Sequence, residues 1–192
     1  MAELAPLVEQ TVAESPGLAG LHGMLAVGHL DAGDEAQARA LYERRSTEGF
    51  ATEPDNYLWL SELVFWAEAA ARLGDGPGCE RLADCLAPWS GQLAFTGATC
   101  YGPVAQPLGS VQRVSGRLAG AERSLERAAA IAHAIDAPFF LARTELEQAL
   151  LLGDRGDRSG AVSVARAARE RAASHGCAAL ERRAATLLDS LV

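Results

Sequence analysis

Few side chains in this 192-residue sequence are spaced for catalysis. His22 and His29 stand seven apart and share a face of one expected helix, but no acidic residue joins them before Asp31. Zinc needs three or four convergent ligands, so a packed or surface pair is expected and no metal or cofactor is assigned. The serines fall in expected helices or polar turns, and none sits in a G-x-S-x-G elbow. Glu145 and Glu147 are two apart and point to different sides of a helix, and Glu62 and Glu68, six apart, also diverge. No general acid is paired with a base, and the sequence reads as that of a non-enzyme.

The aromatic residues offer binding chemistry instead. With Phe65 set aside, six of eleven, namely Tyr57, Trp59, Trp66, Trp89, Phe95 and Tyr101, fall between positions 57 and 101. Trp59 and Trp66 fit the stripe of a buried helix. Tyr57, Trp89 and Tyr101 stand at element ends, where Trp and Tyr combine apolar area with a polar handle. Both core packing and a groove satisfy that placement. The candidate groove for a partner segment or small effector is therefore Tyr57, Trp89 and Tyr101, with Asp55 and Arg72 to orient polar groups. Arg44-Arg45 and Arg182-Arg183 read as solvated helix faces beside Glu43 and Glu181.

Composition narrows the partners. The formal net charge is −8, and all 17 basic residues are arginine. A nucleic-acid surface needs clustered positive charge, so no direct nucleic-acid binding is expected. A chain without lysine cannot carry a G-x-x-x-x-G-K-[ST] phosphate loop. Abundant Ala, Gly, Leu and Arg without lysine suggests a GC-rich bacterial genome. No apolar run reaches the roughly 20 residues that span a bilayer, and Met1 to Pro6 lack the features of an export signal. A cytoplasmic setting without membrane attachment is expected. Cys79, Cys85, Cys100 and Cys177 form no zinc spacing and read as small buried apolar residues.

The elements that must position these groups repeat along the chain. Gly33, Gly74, Gly116 and Gly156 lie 41, 42 and 40 residues apart. Five residues after each stands a small side chain: Ala38, Cys79, Ala121 and Ala161. The glycine supplies a left-handed helix end, and the small residue lets the next helix approach closely. Strand signals are nearly absent. Helical periodicity predicts helices near 2–14, 17–31, 35–46, 55–73, 77–87, 102–115, 119–135, 138–152, 158–174 and 177–191.

The helix near 55–73 is apolar over most of its circumference, with a polar strip of Ser61, Glu68 and Arg72, which predicts a central element capped by Asp55-Asn56. Leu125, Ala128, Ala132 and Ile135 form the expected buried face of the helix near 119–135. Phe139, Ala142, Leu146 and Ala149 do so for the next. The stretch 89–98 reads as a long connecting loop, and Pro107 predicts a kink or a helix that begins at Pro107 itself. These elements make an all-α fold, a right-handed superhelix of about four to five helical hairpins in one domain over 1–192.

The repeat junctions, Leu86-Ala87-Pro88-Trp89, Gly102-Pro103-Val104-Ala105 before Leu108-Gly109, and Ala137 to Thr144 followed by Gly156-Asp157 and Ala161 together carry a family resemblance. The chain resembles the tetratricopeptide-like region of large actinobacterial signal-transduction ATPases, many of which add a LuxR-type helix-turn-helix or a cyclase domain. The resemblance covers about residues 2–190, and Pro107 departs from its pattern. It implies a fragment or stand-alone relative of a larger regulator, serving protein–protein interaction or effector sensing. The alternative is a stand-alone small-ligand receptor that binds in the concave groove. ATPase, cyclase or DNA-binding activity would belong to other domains.

Overall fold

The computed structural model describes residues 21–50 and 58–191. The expected helix near 2–14, the start of the next, and Asp55, Asn56 and Tyr57 lie outside the described residues. Among the described residues nine α-helices follow in order: α1 (Leu21–Ala32), α2 (Glu35–Glu48), α3 (Trp59–Leu73), α4 (Gly76–Leu86), α5 (Ala105–Val114), α6 (Leu118–Ala134), α7 (Pro138–Asp154), α8 (Arg158–Ser174) and α9 (Ala178–Leu191). Consecutive helices pack as the hairpins α1–α2, α3–α4, α5–α6 and α7–α8, and α9 packs on α8 and α7. The odd-numbered helices also pack on one another in series.

The periodic glycines end the first helix of each hairpin. Gly33, Gly74, Gly116 and Gly156 have φ of +82°, +73°, +78° and +81°, the left-handed region where a Cβ is disfavoured. At α3 the Gly74 N–H returns to the Ala70 carbonyl. Ala38, Cys79, Ala121 and Ala161 are all fully buried. In α5–α6 the approach is tight at Gly109, where an added Cβ would lie 2.7 Å from the Leu125 side chain and 3.3 Å from the Ala121 carbonyl.

Polar pairs stitch successive hairpins on the outer side at constant intervals. Tyr42 donates to Asp75 at 2.6 Å, Arg117 to Asp84 at 2.8 Å and Arg155 to Glu122 at 2.7 Å, each pair 33 residues apart. Burial and the bond to Asp75 push the Tyr42 hydroxyl well above the usual phenol range.

Helix α3 is the central element. Trp59, Leu63, Val64, Phe65, Trp66, Ala67, Ala69 and Ala70 join one core with residues of α1, α2, α4 and α5. Burying this much apolar surface is the main stabilising term. The helix starts at Trp59, with Leu58 at its cap position.

Four expectations require correction. Residues 89–98 are not a plain loop. Ala87–Trp89 form a single 3-10 turn, and β1 (Leu93–Phe95) pairs antiparallel with β2 (Cys100–Pro103) across a bulge at Ala94/Phe95. Backbone pairing to a short partner strand stabilises what no side-chain alternation announces. Pro107 causes no kink, because α5 starts at Ala105 and places it in the first turn, where the backbone N–H has no intrahelical acceptor. Ile135 and Phe139 are each 44% exposed, so the buried faces of α6 and α7 stop short of the α6–α7 junction. Of the cysteines, Cys79 is buried, Cys85 and Cys177 are half-buried, and Cys100 is exposed on β2.

Candidate binding groove

The ion-paired residues that converge on one face come from odd-numbered helices. Asp31 of α1 pairs with Arg72 of α3 at 2.8 Å, and Arg72 lies 3.6 Å from Glu68 one turn earlier. Glu68 also pairs with Arg143 of α7 at 2.5 Å and Arg183 of α9 at 3.4 Å. Arg183 is 3.4 Å from Glu147 of α7, which lies 3.7 Å from Arg113 of α5. Arg113 closes the chain on Asp154 at 2.9 Å. Four arginines thus face four carboxylates.

Repeat geometry places these groups. Asp31 and Arg72 are 41 residues apart, as are Arg113 and Asp154. One repeat therefore separates each pair, and all four occupy the last turns of α1, α3, α5 and α7. Burial by itself would raise the Glu68 carboxyl pKa, but Arg143, Arg183 and Arg72 together outweigh it and hold it below the usual carboxylate value.

An aromatic wall flanks the charges. Tyr101 of β2 stacks edge-on against Phe65 of α3, with ring centroids 4.9 Å apart, and Phe139 and Phe140 of α7 meet at 5.4 Å. The ribbon fits here because Gly102, at φ +101°, leaves room for the Phe140 ring, which would lie 2.7 Å from an added Cβ. The Arg143 guanidinium lies 5.8 Å from the centre of the Phe139 ring and donates to the Tyr101 carbonyl at 3.5 Å.

Three cavities adjoin along this face. One of about 150 Å³ lies between the aromatic wall, Leu180 and the pair Glu68–Arg143. A polar one of about 220 Å³ is bounded by Glu68, Arg72, Arg113, Glu147 and Arg183. A wide one of about 680 Å³ runs between the ends of α1, α3 and α7 and the exposed side of α9. Arg183 borders all three.

The candidate residues separate in this arrangement. Tyr101 and Arg72 border the same face, linked through Arg143 and Glu68. Trp89 stands apart, packed edge-on against Trp59 with ring centroids 5.3 Å apart, and borders none of the three cavities. Tyr57 and Asp55 lie outside the described residues. Two arginine expectations are corrected. Arg183 is half-buried and ion-paired, leaving only Arg182 solvated, and Arg45 sits 3.2 Å from Glu62 with its side chain 16% exposed. Adjacent helix positions diverge by about 100°, so each Arg-Arg pair has one member turned inward.

The sequence reading missed Arg113, Arg143, Glu147 and Arg183. The 41-residue interval from Asp31 through Arg72 and Arg113 to Asp154 was a visible signal for the first of these. Glu145 and Glu147 do diverge: Glu145 pairs with Arg171 at 2.9 Å, away from the cluster. Among the described residues, no group of three His, Cys, Asp or Glu side chains is placed to hold a metal ion. None of their helices is long and apolar enough to cross a membrane.

Compared with protein-family models and with curated proteins, the sequence matches neither a family nor a relative.

Proposed function

We propose that the chain is a non-catalytic, tetratricopeptide-like helical-repeat module that senses a small effector in its inner groove. It would serve a bacterial signal-transduction or transcriptional regulator in the cytoplasm. The supporting observation is the convergence of eight ionised side chains from five helices beside an aromatic wall and three adjoining cavities. A few polar groups set in an apolar concavity are the usual make-up of a small-molecule site.

The groove also favours a small effector over an extended partner segment. Arg183 ties α9 to α3 and α7, dividing the inner face into cavities of about 150, 220 and 680 Å³. A partner helix or strand would need a continuous trough.

A small-fragment library screened by ligand-observed NMR tests the reading, with Phe139→Ala as the comparison protein. Hits whose binding weakens at least about fivefold in the variant support it. A screen without hits, or hits indifferent to Phe139, overturns it. The same protein should neither turn over ATP nor shift duplex DNA at physiological salt.

A further inference from the structure

The cavity of about 150 Å³ differs in character from its two neighbours. Four of its wall residues are aromatic, Phe65 of α3, Tyr101 of β2, and Phe139 and Phe140 of α7, while Val27 of α1 and Leu180 of α9 add aliphatic surface. The rings are held in fixed relation. Phe65 and Tyr101 meet at an interplanar angle of 69°, and Phe139 and Phe140 at 60°. Phe140 also lies so close to Gly102 that no side chain would fit between them. Phe139 is 44% exposed and borders this cavity, whereas the exposed Phe95 and Ile135 border none of the three. The fold thus leaves part of an aromatic wall uncovered.

Size and charge define what covers it. An apolar cavity of about 150 Å³ takes up one benzene-sized ring. The charged groups at its edge are already matched: Asp31 with Arg72 at 2.8 Å, Glu68 with Arg143 at 2.5 Å, and Arg183 with Glu68 at 3.4 Å. A carboxylate guest would compete with Glu68 for the arginines, and an ammonium guest would compete with the arginines for Glu68. Arg143 also lies 5.8 Å from the centre of the Phe139 ring, so a quaternary ammonium would meet a wall that already holds its cation. An uncharged guest disturbs none of these pairs. Aromatic rings in edge-on or offset contact gain more than the area they bury, which favours an aromatic guest over an aliphatic one of the same size.

Resting on the effector-sensing function above, we infer that this cavity binds a molecule presenting one uncharged aromatic ring. The ring lies against Tyr101, Phe139 and Phe140. Cys100 is both exposed and part of the wall, so its thiol reports on occupancy.

The test is calorimetric titration of the full chain with benzyl alcohol, cyclohexylmethanol, benzoate and benzylammonium. All four carry one six-membered ring and differ in aromaticity or charge. Benzyl alcohol should bind at least about threefold more tightly than cyclohexylmethanol, although the latter is the more hydrophobic. It should bind at least about tenfold more tightly than either charged compound. Phe139→Leu keeps apolar bulk at a partly exposed position and should narrow the preference for benzyl alcohol over cyclohexylmethanol. Saturating benzyl alcohol should slow modification of Cys100 by methyl methanethiosulfonate at least about threefold, read by mass spectrometry.

Equal binding of cyclohexylmethanol or of a charged compound overturns the assignment. So does a preference unchanged in Phe139→Leu, or a Cys100 that benzyl alcohol does not protect. If fragments sensitive to Phe139→Ala bind while any of these results is found, the groove function stands and only the aromatic-ring assignment falls. If no fragment and none of the four compounds binds, both fall.

Discussion

Arg183 Nη1 lies 3.4 Å from Glu68 Oε1, although 115 residues separate the two in the chain. This contact joins α9 to the central helix α3 across the groove. Glu68 receives two further arginines, Arg72 and Arg143, so one carboxylate serves α3, α7 and α9 together.

Glu68→Gln should therefore lower stability by about 3 kcal/mol at pH 7, because it leaves three partly buried arginines without their shared counter-charge. The three arginines hold the carboxyl below its ordinary value despite burial. The stabilisation is present above the unfolded value of about 4.3 and is lost as pH falls through the lower folded value. Urea unfolding from pH 7 to 3 should show the wild-type advantage over Glu68→Gln shrinking only below about pH 4.3. An advantage constant with pH would mean the carboxylate charge is irrelevant.

Ala121→Leu should cost on the order of 1–3 kcal/mol by overpacking. Ala121 is fully buried, and its carbonyl would lie only 3.3 Å from a Cβ added at Gly109 of the facing helix. The checking measurement is the urea midpoint. A neutral or stabilised variant would show that the hairpin interface has room to spare.

Trp89→Ala and Tyr101→Ala should behave differently. Trp89 packs on Trp59 away from the cavities, so its loss should lower the thermal midpoint and leave fragment affinity within about twofold. Loss of Tyr101 should weaken fragments in the aromatic cavity at least about fivefold, because its ring forms part of that wall. A buried aromatic anchor typically contributes about 2 kcal/mol or more to binding. Equal effects of the two variants on affinity would remove Tyr101 from the site.

Thiol labelling of the native protein should begin at exposed Cys100 and spare Cys79. Cys79 is fully buried, and burial together with nearby Asp75 pushes its pKa up to about 12. The thiolate is the reactive form. Mass spectrometry after brief treatment with a disulfide reagent distinguishes the sites. Labelling of Cys79 before unfolding would contradict the packing of α4 against α3.

Much of the scaffold was legible in the sequence because it is governed by local chemistry. A glycine with φ near +80° and a small residue five positions on are fixed by the backbone at one hairpin, and both recur along the chain. The ribbon of β1 and β2 escaped notice because its pairing depends on backbone bonds and on Phe140 filling the space over Gly102.

The sequence by itself determined the helical content, the hairpin junctions, the buried small residues and the central place of α3. Each follows from periodicity or backbone stereochemistry within one repeat. Only the tertiary structure decided which charges meet. Helical phase can place Arg182 and Arg183 about 100° apart, but it cannot say that Arg183 will find Glu68 and Glu147 across the groove. That meeting depends on small rotations accumulated from hairpin to hairpin, which set how closely α9 approaches α3.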